Sequence, residues 1–168
     1  MPKHIYFAKG GEAAIMSELL CRGYNVAVPW VDFGDDMYVV EDARSNFIRV
    51  QVKAANCKKR KYGISGRVRV PLAQLQESKK TKLIYVFALR YSRQWKCVLV
   101  ISREKLEEAV MKFDINRKHK NSRKKDEITF FFYVKPLQNR VTCYEQDFTQ
   151  YLSWDKEFPV IKSQSAEG

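Results

Sequence analysis

Apolar residues near the start of the chain recur at the spacing of a helix. Residues 10–22 place Ile15, Met16 and Leu19 on one face, within a run of good helix formers. Gly23 follows at the position where the end of a helix favours a left-handed residue. These features predict a first helix that packs one apolar face against the rest of the protein.

A period of two dominates the rest of the pattern. Apolar residues that alternate or run together predict six strands, at residues 24–29, 37–41, 47–53, 83–89, 95–101 and 128–134. Residues 103–113 return to the spacing of a helix, and Ser102 precedes them as a capping residue. Between the third and fourth strands, we predict a basic loop at residues 56–69 and one or two helical turns at residues 71–78. This order predicts an α/β fold with a mixed central β-sheet flanked by helices.

The length and composition are those of a folded protein with one core. The chain has 168 residues, of which 45% are hydrophobic and 13% aromatic. We assign residues 1–113 to the core, residues 114–162 to a basic linker, a strand and an aromatic-rich segment of the same domain, and residues 163–168 to a loose tail. No apolar run approaches the length of a membrane span, and the N-terminus lacks the layout of a secretory signal. We therefore expect a cytoplasmic protein with no membrane partner.

The end segment is rich in aromatic residues at steps of three to four positions. They are Tyr144, Phe148, Tyr151, Trp154 and Phe158. This spacing favours a helix face that is buried, or that lies in a subunit interface, over a platform on which bases stack. We therefore expect the segment to contribute to packing.

The charge balance restricts the class of partner. Lys and Arg number 31 against 19 Asp and Glu, which leaves a formal net charge of +12. Such an excess attracts a polyanion, and nucleic acid is the usual one. The 4 cysteines have no paired spacing and the histidines number only 2, which argues against a zinc site. Basicity alone does not separate DNA from RNA, or an enzyme from a binding protein.

Candidate chemistry is concentrated around the strand at residues 47–53. Its alternation places Arg49, Gln51 and Lys53 on the polar face, and Asp36 begins the strand that we predict as its hairpin partner. A solvated strand face would produce the same alternation, but a carboxylate, an amide oxygen and a lysine at one strand end also suit a Mg²⁺ site for phosphodiester hydrolysis. Asp35 is either a turn residue or an acid that supports the site.

These residues resemble the signature of the PD-(D/E)XK nuclease superfamily, an acid followed by an acid-x-Lys element on the next strand. Asp36 matches the first acid and Gln51-Val52-Lys53 the second element, and Glu12 lies eleven residues before Gly23, as a further glutamate on the first helix does in that superfamily. Over residues 9–55 the chain is similar to the cyanobacterial group I intron homing endonucleases, and more distantly to archaeal Holliday-junction resolvases. Gln51 departs from the pattern, because most members carry an acid there.

The resemblance implies a restriction-endonuclease-like core and a complete catalytic site. Glu12, Asp36, Gln51 and the carbonyl of Val52 would bind Mg²⁺, for which Mn²⁺ would substitute, and Lys53 would assist the attacking water. The implied activity is site-directed cleavage of double-stranded DNA by a homodimer or homotetramer at the bacterial nucleoid. Two alternatives stay open: a junction resolvase with the same chemistry, and an inactive protein that binds nucleic acid.

Basic residues on protruding segments are candidates for DNA contacts. The first group follows the catalytic strand, and the second lies in the basic linker. We predict contacts from Lys58, Lys59, Arg60, Lys61, Arg67 and Arg69, and from Arg117, Lys118, Lys120, Arg123 and Lys124. Arg67 and Arg69 alternate around Val68 and could lie on a strand that reads base edges. A solvated flexible loop is the alternative interpretation of residues 117–125.

Overall fold

In the part of the chain that the structure describes, the strands form two β-sheets of five strands each. A computed structural model describes residues 3–30, 34–41, 46–76, 81–113 and 126–161. Its helices and strands follow the order α1 (Lys3–Cys21), β1 (Asn25–Ala27), β2 (Met37–Glu41), β3 (Asn46–Asn56), β4 (Lys58–Arg60), β5 (Gly63–Pro71), α2 (Leu72–Leu75), β6 (Leu83–Tyr91), β7 (Gln94–Ser102), α3 (Arg103–Lys112), β8 (Glu127–Lys135), β9 (Arg140–Cys143) and β10 (Gln146–Asp147).

The central sheet has the order β1-β2-β3-β6-β7. β3 and β6 are parallel, and the other neighbours are antiparallel, so the mixed sheet expected from the sequence is confirmed. β6 is buried from Leu83 to Leu89 because both faces of the sheet are covered. The second sheet has the order β10-β9-β8-β5-β4 and is antiparallel throughout.

Apolar cores lie on both faces of the central sheet. On one face α1 packs Ile15 and Leu19 against β2, β3 and β6, as the helical spacing predicted. On the other face the second sheet and α3 cover a core of large aromatic side chains, in which Phe87 contacts Phe130 and Phe132. α1 begins at Lys3, earlier than predicted, and Gly23 has the predicted left-handed conformation with φ of 90°.

The predicted loop at residues 56–69 is wrong, because this segment forms β4 and most of β5. Ile64 and Val68 point into the core at the spacing of a strand, but Gly66 stands where the next apolar residue of that alternation is expected. A Cβ atom on Gly66 would lie 2.8 Å from the Cys57 Sγ atom, so the close contact with the end of β3 requires glycine. The interrupted alternation therefore hid a strand.

The helix predicted for the aromatic end segment is also wrong. Residues 140–147 form the strands β9 and β10, and only Thr149–Leu152 turn as a short 3₁₀ helix. Phe148 and Phe158 are nonetheless buried, with 1% and 0% of their surface exposed. Three of the cysteines are buried and Cys21 is exposed, and all four are free thiols. In the described part of the chain, no helix is long and apolar enough to cross a membrane.

Candidate active site

Asp36 is held at the open edge of β3. Its backbone N–H donates to the Val50 carbonyl at 3.0 Å, and β2 begins with the next residue, Met37, opposite Val50. Val52 therefore lies beyond the end of β2. β3 pairs with β6 in parallel, and the Arg49 N–H donates to the Lys82 carbonyl on that side. Because main-chain groups alternate in direction along a strand, the odd-numbered residues of β3 point their N–H and C=O groups toward β6. The main-chain groups of Val52 face the open edge, where its N–H donates to Asp36 Oδ2 at 2.7 Å.

Gln51 is buried and is hydrogen-bonded at both ends of its amide. Its Nε2 donates to Asp36 Oδ2, and its Oε1 accepts from Gln74 Nε2 at 2.6 Å. Gln74 Nε2 also donates to the Gly34 carbonyl at 2.6 Å, so it ties α2 to the turn before Asp36. Gln74 was not among the predicted site residues, because one glutamine on a helix of four residues gives no local signal in the sequence.

Glu12 reaches the site because α1 crosses β3 closely. A Cβ atom on Gly11 would lie 2.8 Å from the Ala54 Cβ atom, so glycine allows the two backbones to approach here. The adjacent Glu12 pairs with Lys9 at 2.7 Å, and 15% of the Glu12 side chain is exposed. The negative charge of Glu12 raises the pKa of Asp36, so the two carboxylates lie close enough for their charges to interact.

The environment of Asp36 disfavours its charged form. The pKa of Asp36 is raised from 3.8 to about 6. Burial is the largest cause and the charge of Glu12 adds to it, while the Val52 N–H, Lys53 and Lys9 oppose the rise. Two carboxylates in a poorly solvated site repel each other, and a bound cation would relieve that repulsion. Lys53 is half-buried two residues after Gln51 on β3, and its positive charge lowers the pKa of Asp36, so the two charges lie close enough to interact.

Asp35 supports the site through a buried ion pair. Its two carboxylate oxygens accept from Arg49 Nε at 2.7 Å and from Arg49 Nη2 at 2.8 Å. The side chains of both residues are almost fully buried, with 4% and 5% of their surface exposed. This bidentate geometry fixes the turn that precedes Asp36 against β3. Asp35 is thus committed to Arg49.

Carboxylate, amide and main-chain oxygens are the ligands that Mg²⁺ prefers. The Asp36 carboxylate and the main chain of Val52 meet at the open edge of β3, whereas Gln51 turns Nε2 toward Asp36 and Oε1 toward Gln74. Within the described ranges, no group of three or more His, Cys, Asp and Glu side chains could hold a metal by itself. A cation here would therefore depend on amide and main-chain oxygens as well as on carboxylates.

The predicted DNA contacts fall in two parts of the chain. Lys58, Lys59 and Arg60 form β4, Lys61 is in the turn that follows, and Arg67 and Arg69 lie on β5; all six are exposed. The strand that the alternation of Arg67 and Arg69 around Val68 suggested is therefore present. Arg117, Lys118, Lys120, Arg123 and Lys124 lie outside the described residues.

Comparison with known families agrees with this architecture. The PD-(D/E)XK endonuclease family matches residues 6–131, which is most of the chain, and the protein belongs to that family. It is thus a nuclease of the endonuclease type with a restriction-endonuclease-like α/β core. Among solved structures it is similar to a bacterial homing endonuclease, I-Ssp6803I, with a TM-score of 0.48 and 17% sequence identity over 77% of this chain and 75% of that one. No curated protein sequence matches the chain.

Proposed function

We propose that the protein is a metal-dependent endonuclease that hydrolyses phosphodiester bonds at selected sites in double-stranded DNA. The observation that carries the proposal is the desolvated Asp36 carboxylate at the open edge of β3, beside Glu12 and Lys53. Membership of an endonuclease family supports the reaction class. The net charge of +12 supports a polyanionic substrate.

The donor atoms fit Mg²⁺, with Mn²⁺ as a substitute. Asp36, Glu12, Gln51 and the carbonyl of Val52 would hold the ion, and a bound ion would neutralise the scissile phosphate and lower the pKa of a bound water. Among the described residues, the Gln51 Nε2 atom and the Val52 N–H both donate to Asp36 Oδ2. The main-chain groups of Val52 already face the same open edge.

The side-chain amide of Gln51 would have to rotate so that its Oε1 atom, in place of its Nε2 atom, faces the cation. Without a cation, its Nε2 faces the Asp36 carboxylate because a donor is favoured beside an acceptor. With a cation present, Oε1 becomes the favoured end. The turned Nε2 then needs an acceptor, and Gln74 Oε1 is buried and accepts no hydrogen bond from the described residues. A matching rotation of the Gln74 amide would supply that acceptor.

Lys53 supplies the positive charge that the second half of the motif requires. Its ammonium group has three donors and acts on Asp36 in the present structure. Beside the attacking water it would orient the water and stabilise the negative charge that develops on the phosphate. No other residue of β3 in the site carries a positive side chain, since Arg49 is committed to Asp35.

Removal of Lys53 tests this function. Wild-type protein with Mg²⁺ should cut plasmid DNA, and Lys53→Ala should lower the cleavage rate by roughly 100- to 1,000-fold, as expected for one charge-stabilising group. Binding of the same DNA, measured by fluorescence anisotropy without metal, should change little. Lys96→Ala is the matched control, because Lys96 is exposed on β7 and is no part of the site.

The outcomes of that assay separate the alternatives. Equal cleavage rates for the wild type and Lys53→Ala would show that Lys53 has no role in cleavage. Binding without cleavage by the wild type, with either metal, would identify an inactive DNA-binding protein. A four-way junction belongs in the same assay, because a junction resolvase would cut it in preference to linear duplex.

Cleavage of both strands would require two such sites. We therefore propose a homodimer or homotetramer that acts at the bacterial nucleoid. The exposed residues Lys58–Lys61 come directly after β3, and they are proposed to hold phosphates close to the cleavage site. Arg67 and Arg69 are proposed to add contacts from β5.

Substitution of glutamate for Gln51 should tighten metal binding. The new carboxylate adds a charged ligand, so the affinity for Mn²⁺ at about pH 7.5 should rise by roughly tenfold or more. Isothermal titration calorimetry on the metal-free protein measures this change. Gln76→Glu is the control, since it adds the same charge at an exposed position at the end of α2. Unchanged Mn²⁺ affinity in Gln51→Glu would show that residue 51 does not bind the ion.

A further inference from the structure

The second sheet has one apolar and one basic face. Its inner face packs Val68, Phe130 and Phe132 against the central sheet. Because side chains alternate along strands, the residues between them point outward. The strand register places six basic residues on this outer face: Lys58, Arg60, Arg67, Arg69, Lys135 and Arg140. Two carboxylates share the face, with Glu127 3.8 Å from Arg69 and Asp147 3.9 Å from Arg140.

Two aromatic rings stand among these cations. Phe131 and Tyr133 are neighbours on the outer face of β8, opposite Arg67 and Ser65 of β5, and 41% of Phe131 is exposed. The Arg67 guanidinium lies 6.0 Å from the centre of the Phe131 ring, and Lys135 Nζ lies 6.0 Å from the centre of the Tyr133 ring. Each ring is therefore next to a charge that can contact a phosphate while the ring contacts a base.

A third ring makes this arrangement rigid. Tyr144 meets Phe131 edge-on, with 5.9 Å between the ring centres. The Tyr144 hydroxyl donates to the Thr129 carbonyl at 2.8 Å, so the ring is fixed to β8 itself. A fixed platform loses little conformational entropy when a flat ligand stacks on it.

The charge of the face determines which partner fits. A second copy of the same face would bring together two surfaces on which six cations outnumber two carboxylates, so self-association through it is unfavourable. A polyanion gains from every one of these charges. The rings require, in addition, a ligand with exposed flat surfaces, and a nucleic acid has both properties.

The shape of the face distinguishes a single strand from a duplex. Neighbouring strands lie about 4.8 Å apart, so five strands span roughly 19 Å, whereas the major groove is about 12 Å wide and admits a two-stranded ribbon. A sheet of this width cannot enter that groove, and duplex DNA could place only its phosphates on it. Bases reach Phe131 and Tyr133 only where they are unpaired.

We propose that the outer face of the second sheet binds a single-stranded stretch of DNA, whose bases stack on Phe131 and Tyr133 while the basic residues contact its phosphates. Phe131 and Tyr133 lie on β8 of the second sheet, whereas Asp36 lies beside β3 of the central sheet, so the two rings are not part of the Asp36 site. The proposal takes DNA as the polymer from the proposed function and does not depend on cleavage.

Binding to paired oligonucleotides tests this site. In EDTA, with affinity measured by fluorescence anisotropy, Phe131→Ala and Tyr133→Ala should each weaken binding of a single strand by roughly 5- to 150-fold, the range for one lost stacking contact. Affinity for the duplex of the same sequence should change by less than about twofold, since duplex contacts are with phosphates alone. Phe131→Trp should keep the single-strand affinity. Tyr6→Ala is the control, since Tyr6 is an exposed ring on α1, in another layer.

Three results would overturn the proposal. The first is unchanged single-strand affinity in both alanine variants, and the second is an equal loss on single strand and duplex. The third is an ultraviolet cross-link between the wild-type protein and a single strand that maps by mass spectrometry outside β5, β8 and β9, a measurement that needs no variant to fold. A wild type that cuts no DNA but binds single strands through Phe131 would refute the proposed function and leave this site in place.

Discussion

Replacement of Asp36 by asparagine should abolish cleavage and, above about pH 6, make the metal-free protein more stable. Cleavage should fall by at least about a thousandfold, because the amide loses the charge that holds a divalent ion and positions it for hydrolysis. Stability should change in the opposite direction because the folded protein disfavours the ionised carboxylate, which raises the pKa of Asp36 to about 6. Asparagine keeps an oxygen that can accept from the Val52 N–H and carries no charge.

The pH dependence of that stability has a defined sign. A carboxyl whose pKa is raised on folding stabilises the folded state fully below its unfolded pKa of 3.8, and this contribution is lost as the pH rises through about 6. The gain in Asp36→Asn should therefore be small near pH 4 and complete near pH 8. Because part of Asp36 is exposed, we expect about 1 kcal/mol after solvent screening, or roughly 2–4 °C in Tm.

Thermal unfolding at the two pH values, without metal, measures this gain, and plasmid cleavage measures the loss. Asp155→Asn is the control, since Asp155 is an exposed carboxylate whose removal should alter cleavage little. Lower stability of Asp36→Asn at both pH values would mean that its hydrogen bonds outweigh the cost of its charge. Cleavage at the wild-type rate would exclude Asp36 from the site.

Local pattern was sufficient for the part of the site that lies on one hairpin. Alternation in β3 separates Val52 from Gln51 and Lys53, and the pairing of β2 with β3 then places Asp36 beside the end of that strand. Only the resemblance to the nuclease family suggested Glu12. Glu12 comes close to Asp36 because Gly11 packs tightly against Ala54, and this contact between α1 and the sheet cannot be read from a local pattern.

The features that the sequence did not reveal depend on contacts between distant segments. Gln74 lies 23 positions after Gln51, on a turn of helix whose placement follows from β5. Arg49 was expected on a polar face, and Asp35 had two interpretations, because only the folded hairpin brings the two charges together. The pattern of β5 was interrupted at Gly66, where tight packing against Cys57 replaces a large apolar side chain.

The Asp35–Arg49 ion pair should dominate the stability of the site. Asp35→Asn should lower the free energy of unfolding by about 3–5 kcal/mol, because it leaves the Arg49 guanidinium buried beside a neutral group. For a domain of this size that corresponds to a fall of roughly 6–20 °C in Tm. Cleavage should also fall at temperatures where the variant is folded, since Asp35 fixes the turn that carries Asp36.

A double substitution separates the cost of an unpaired charge from the worth of the pair. Asp35→Leu together with Arg49→Met removes both charges, and its free energy of unfolding, from urea denaturation, should recover most of the loss. Its cleavage rate should stay low, because apolar side chains cannot hold the turn with the directed geometry of two hydrogen bonds. If Asp35→Asn lowers the free energy of unfolding by less than about 1 kcal/mol, the ion pair behaves as a solvent-exposed pair and not as a buried one. Recovery of cleavage together with stability would show that Asp36 is positioned by Val50, Val52 and Gln51 alone.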